Sequence, residues 1–342
     1  MHPARLLVAA AFVACVSIGI VQAVGDNNYI VTTLVSNQTG VAPTVDPLLV
    51  NGWGIAASPT GPWWVSDNGT NFATIYSGAG VKAALEVTVP GAPTGTVFYG
   101  GTQFQLAPGL PARFIFAAED GTFSAWNPGF DLTNAHVVFS DPGSVYKGLA
   151  VLGDTLYTTD FTECGVETFD GTFTEFDSDG EFEDDSIPAG YCPFGIQAIG
   201  SSIFVTYALT DGPEDVAGQG HGFVREFDAF GHLIATVASR GQLNSPWGLA
   251  MAPSDFGPFS NCLLVGNFGD GNISTYCRNR GGYHYHGALR QGRRPIRIDG
   301  LWGIGFGNGS GSGATNVLYF AAGPDEETNG SFGKVEFAPS QP

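Results

Sequence analysis

Acidic and amide side chains recur where short β-prone runs break into turns: Asp67 with Asn68, Glu119, Asp160, Asn267 and Asp270. His221, inside Gly218-Gln-Gly-His-Gly222, stands just ahead of a further β-prone run. Carboxylate, amide and imidazole groups can hold a hard divalent cation or prepare a water for attack on an ester or lactone. The set is oxygen-rich, so calcium is the cofactor it would suit, although no motif demands one. Asp and Asn equally make hydrogen-bonded turns that carry no ligand. His221 admits the same two readings, a general base or metal ligand, or a turn histidine with satisfied hydrogen bonds. No G-x-S-x-G elbow, H-E-x-x-H pair, Walker A loop or dinucleotide fingerprint occurs. Covalent serine and zinc-peptidase chemistry therefore have no support.

Two further stretches carry ligand-type residues. Asp177-Ser-Asp179-Gly-Glu181 lies in an acidic run from Glu175 to Asp185. It lacks the third oxygen ligand and the terminal Glu of a calcium loop, and a solvated acidic loop accounts for it. Tyr283-His284-Tyr285-His286 would put two imidazoles on one face of a strand, with no third ligand nearby. Arg278, Arg280, Arg290, Arg293, Arg294 and Arg297 flank it. That basic stretch could dock an acidic partner, or pair with the chain's own acidic loops.

Overall charge narrows the partners. With 13 basic against 32 acidic residues the net charge is −19, which repels nucleic acid phosphate, so no nucleic-acid partner is expected. Met1 to Ala23 reads as a signal peptide: Arg5, an apolar run from Leu6 to Ile20, then the small-residue site Val21-Gln22-Ala23. The rival reading is an uncleaved anchor. Residues 24–342 hold no second apolar run of that length and are expected to form one domain with no membrane span. The expected location is extracellular, or else periplasmic or at the cell surface, with an extracellular ligand or protein as partner. Cys164, Cys192, Cys262 and Cys277 remain after cleavage, an even number that suggests disulfides. Cys262 and Cys277 flank the turn Gly269-Asp270-Gly271-Asn272 and could face each other across one hairpin, leaving Cys164 with Cys192. Sequons at Asn37, Asn68, Asn272, Asn308 and Asn329 would accept glycans in a eukaryotic host.

The elements that must position these residues announce themselves by repetition. Gly52-Trp53-Gly54-Ile55 returns as Lys147-Gly148-Leu149, Phe194-Gly195-Ile196, Trp247-Gly248-Leu249 and Trp302-Gly303-Ile304, with a degenerate copy at Thr94-Gly95-Thr96. Each copy opens a β-prone run and two more runs follow it. The spacing, roughly 40 to 60 residues, is that of a repeated four-stranded unit. A sandwich has no reason to repeat one Gly motif, so the pattern predicts an all-β six-bladed propeller with four-stranded antiparallel blades. A residue without Cβ allows close backbone approach where inner strands crowd the axis, and the neighbouring Trp or Phe can pack between blades. Tyr29 to Val35 belongs to no complete unit and is expected to close the ring by pairing with the last blade.

Asp215-Val-Ala-Gly-Gln-Gly-His221, Asn244-Ser-Pro-Trp247-Gly-Leu-Ala250, Leu264-Val-Gly-Asn267-Phe-Gly-Asp270 and Leu318-Tyr-Phe-Ala-Ala-Gly-Pro324 together resemble a family of exported, mainly bacterial proteins with an NHL-like six-bladed propeller. The resemblance spans nearly the whole mature chain. It implies a fold and export, and supplies no activity or catalytic residues. Two function classes follow. One is a binding or scaffolding module working through the loops at the central channel face. The other is a metal-dependent hydrolase of lactonase or esterase type on that face. A structural protein of an extracellular matrix or envelope is a third reading.

Overall fold

The computed structural model describes residues 27–180 and 182–339. The expected signal peptide, Met1 to Ala23, lies outside the described residues. Among those described, helix is confined to the short turns Asn68–Thr70 and Gly257–Phe259, and no helix is long and apolar enough to cross a membrane.

Six antiparallel blades form a closed ring, as the repeat predicts. The inner strands are Gly52–Ala57, Pro93–Phe98, Tyr146–Leu152, Tyr191–Ile199, Pro246–Met251 and Leu301–Phe306. Each is the terminal strand of its sheet, so one edge is free and faces the axis. Blade 3 reduces its outer strand to a short pairing of Phe169 with Glu175. Tyr29–Ser36 pairs antiparallel with Ser331–Phe337 and completes blade 6, so the N-terminal strand closes the ring.

The repeated glycine exists because backbones meet there. A Cβ on Gly195 would lie 2.1 Å from the carbonyl oxygen of Trp247 in the next inner strand. On Gly54 it would lie 2.5 Å from that of Thr94. The relation runs round the ring to Gly303, which abuts Trp53 O. Larger residues fill the spaces between blades: Trp64 stacks on Phe114 at 4.1 Å, and Phe123 stacks on Tyr146 at 4.9 Å. Such pairs combine large apolar burial with favourable ring geometry.

The aromatics of the motif do more than fill a seam. Trp53 and Trp302, from adjacent blades, stack at 3.7 Å. Trp302 also meets Phe194 and Trp53 meets Trp247, from blades that are not neighbours. With Phe161 and Phe268 they fill the axis at the end where the inner strands begin. Cys164–Cys192 ties blade 3 to blade 4, and Cys262–Cys277 staples blade 5, the pairing the hairpin argument favoured.

Candidate functional site

Over the aromatic plug lies a polar network. Trp302 Nε1 donates to Asn51 Oδ1 at 3.0 Å, and Asn51 Nδ2 donates to Asn68 Oδ1 at 3.2 Å and to Glu327 Oε2 at 2.5 Å. Asn68 Nδ2 in turn donates to Glu119 Oε2 at 2.9 Å. The network ends on Lys147, whose ammonium lies 2.6 Å from Glu119 Oε1 and 3.9 Å from Glu214 Oε2. Lys147 is only 1% exposed and its ammonium stands 5.2 Å above the Trp53 ring. A cation–π contact and a carboxylate thus hold it where blades converge. Glu327 arrives on a turn whose residues Asp325, Glu326 and Glu327 all have left-handed φ (57°, 55° and 64°). Burial raises the Glu327 carboxyl above its usual pKa, and the nearby Glu119 and Glu214 add to the shift. Burial likewise raises the Asp215 carboxyl.

The other candidates at this rim serve their own loops. Asp160 Oδ1 accepts from the backbone N–H of Val145, Thr162 and Glu163, at 3.3, 2.8 and 3.1 Å. Asn267 does similar work in blade 5, donating to Gln242 O at 2.8 Å and to Asp270 Oδ1 at 3.2 Å. Asp270 Oδ1 also accepts from Asn272 N at 3.0 Å. His221 Nδ1 sits 2.8 Å from Val216 O within its turn. Asp67 follows Trp63 and Val65 on one face of its strand, a face that packs into the core. Its carboxyl is fully buried, which holds its pKa well above the usual range. Of the seven candidates, the structure therefore brings Asn68 and Glu119 together over the axis. Asn51, Lys147, Glu214 and Glu327 complete that centre and were not singled out from the sequence. Lys147 had a readable signal: it fills a slot before the repeated glycine where four of the other five copies place Trp or Phe.

Metal-type geometry appears elsewhere. Asp160, Glu163 and Glu167 of blade 3 each offer a carboxylate oxygen, all within 4.8 Å of one another. Burial pushes the Glu167 carboxyl up to about 8, opposed by a hydrogen bond from Tyr146 and assisted by Asp160. The acidic run docks through Asp184, which pairs with the buried Arg225; Glu181 lies outside the described residues. On the outer edge of blade 5, His284 Nε2 lies 3.1 Å from Asn279 Oδ1. Arg278 there pairs with the chain's own Glu226 at 2.9 Å.

The axis opens on the opposite face, where the inner strands end. A cavity of about 460 Å³ is lined by all six blades, with Ile55, Phe98, Val151, Gln197, Leu249 and Phe306 among its walls. Trp247 lies deeper along the same axis. None of the lining side chains ionises. Thr96 Oγ1 is buried there without a partner, whereas Asn308 Nδ2 is engaged by Ser58 O and Gly61 O at 2.8 Å each. The free edges of the inner strands add backbone donors and acceptors, so the neutral walls are both polar and apolar.

No family model matches the chain. It is 32% identical over 322 residues to an uncharacterized protein, R648, of Acanthamoeba polyphaga mimivirus, covering 88% of this chain and 78% of that one. A second uncharacterized protein of that virus, L690, is 31% identical over 328 residues, covering 89% and 85% of the respective chains. Among solved structures, a structural genomics protein of unknown function from Bacteroides thetaiotaomicron aligns with a TM-score of 0.59 at 12% identity, covering 90% of this chain and 76% of its own. At that identity the likeness concerns the fold alone.

Proposed function

The chain belongs to the family of the mimivirus proteins R648 and L690, and from its two unlike faces we propose that it is an extracellular binding module. Its ligand is uncharged and carries both apolar and hydrogen-bonding groups. The funnel supports this reading: its volume falls in the range of small-molecule sites, and its walls offer Thr96, Gln197 and free backbone edges but no acid or base that would activate a nucleophile. Its two disulfides support an oxidising location. The hydrolase reading requires oxygen ligands meeting at the axis, and on the acidic face that place is taken by the Lys147 ammonium.

The test is a thermal-shift screen of uncharged sugars and short blocked peptides, with each hit repeated on Gln197→Arg and on Glu119→Gln. Hits are expected to disappear with Gln197→Arg, which places a charge on the funnel wall, and to survive Glu119→Gln. The reverse pattern would move the ligand to the acidic face. Turnover of simple lactones or esters by the purified protein would replace binding with hydrolysis.

A further inference from the structure

We propose that blade 3 carries a calcium-type cation site formed by Asp160, Glu163 and Glu167, separate from the axis and independent of the funnel. Three observations carry it. The first is distance. Oxygens about 2.4 Å from one hard cation stand at most about 4.8 Å apart, and the three carboxylate oxygens satisfy that limit. The second is an orphaned atom. Asp160 is fully buried and spends Oδ1 on three backbone amides, while its Oδ2 has no hydrogen-bond partner. A buried carboxylate oxygen left unpaired is costly, and a bound cation would satisfy it. The third is charge. Among the described residues, the ion pairs engage other carboxylates, and no Lys or Arg lies within salt-bridge distance of these three.

The surroundings hold the ligands in place. Asp160 ends the second strand of blade 3 and Glu167 lies in the third, Gly165–Phe169, so two hydrogen-bonded strands fix their separation. Tyr146 donates to Glu167 Oε2 at 2.8 Å and sets that carboxylate's orientation. Glu163 sits in the turn between these strands, next to Cys164, whose disulfide to Cys192 anchors the turn to blade 4. Glu163 is exposed, so water can complete the coordination shell and ions can enter from solvent. Three carboxylates with solvent completion match the weaker, extracellular class of calcium site, with Kd of about 10⁻⁴–10⁻³ M.

The disulfide-intact protein, stripped with chelator, should be titrated with calcium chloride by calorimetry and by thermal shift. Wild type is expected to bind about one equivalent and to gain thermal stability, as any ligand of the folded state confers. Glu163→Gln changes an exposed side chain and should fold normally, and Glu167→Gln preserves shape. Each is expected to weaken binding by at least about tenfold, whereas Glu119→Gln on the axis is expected to bind as wild type does. Absence of calcium uptake by folded wild type at millimolar concentration would overturn the site. Wild-type affinity in both Glu163→Gln and Glu167→Gln would overturn it too. Neither result would touch the funnel, whose deciding variant is Gln197→Arg.

Discussion

Replacing Gly195 by Ala tests the contact on which the ring is built. The added Cβ would stand 2.1 Å from Trp247 O, 2.8 Å from Trp247 C and 3.0 Å from Thr206 Oγ1. An ordinary carbon–oxygen contact is about 3.3 Å, so the overlap with the carbonyl exceeds about 1 Å. That oxygen belongs to backbone in a neighbouring inner strand and cannot rotate away. Relief requires blades 4 and 5 to part, and a closed ring resists opening at one seam. Overpacking costs about 1–3 kcal/mol or more, and the reduced freedom of the unfolded chain returns only about 0.4–1 kcal/mol. A net loss of about 2 kcal/mol is expected, which at about 2 °C per kcal/mol lowers Tm by about 4 °C. Gly148 provides the graded comparison. There the Cβ meets Ile196 Cγ2, Ile196 N and Thr159 Oγ1 at 3.0 Å, and shifts of a few tenths of an ångström suffice. Gly165, with nothing within 4 Å of its Cβ, is the neutral control. Thermal and urea unfolding followed by near-UV circular dichroism should order the variants Gly195→Ala, Gly148→Ala, Gly165→Ala from least to most stable. A Gly195→Ala variant as stable as wild type, or more stable than Gly148→Ala, would refute the close-approach explanation of the motif.

Lys147→Met is expected to cost about 2–3 kcal/mol in urea unfolding, below the usual loss for a fully buried pair because Glu119 reaches solvent. Adding Glu119→Gln should recover part of that loss, and simple additivity of the two would show they are uncoupled. Glu327 has a raised pKa in the folded state, so the native protein binds more protons than the unfolded chain from the normal carboxylate pKa upward. Stability should therefore fall as pH rises through the folded pKa, and Glu327→Gln should flatten that decline between acidic and neutral pH. An unchanged pH profile would remove Glu327 from the buried network. The Cys262–Cys277 bridge closes 15 residues, and its double serine variant should lose about 3 kcal/mol. Loss of the Cys164–Cys192 bridge, with a separation of 28, should cost slightly more by the same loop argument, measured in the same denaturant series.

Much of the architecture was legible because it rests on local rules. A glycine slot every blade, β-branched runs between turns and an even set of cysteines each carry their meaning within a few residues. Those rules located the six inner strands, the closing strand Tyr29–Ser36 and both disulfides. They also singled out Asn68 and Glu119, which the structure brings into contact. They did not say where side chains point. Asp67 and Asn267 occupy the same strand-end position as Asp160, yet all three turn along their blades instead of toward the axis, because alternation along a strand fixes direction. Nor could local pattern pair Asn51 with Glu327, which is 276 residues away in sequence and 2.5 Å away in space. That meeting exists because the ring closes blade 6 against blade 1. Closure also decided which end of the axis is open: Trp53, Phe194 and Trp302, near the starts of their inner strands, meet and fill one end, while the strand ends line a funnel at the other. The sequence alone determined the repeat and its inner seams, since a glycine in each copy permits the close backbone approach between neighbouring inner strands. The axial network and the funnel depended on the tertiary structure, because each is assembled from residues that only ring closure brings into contact, whereas the blade 3 carboxylates meet within one hairpin.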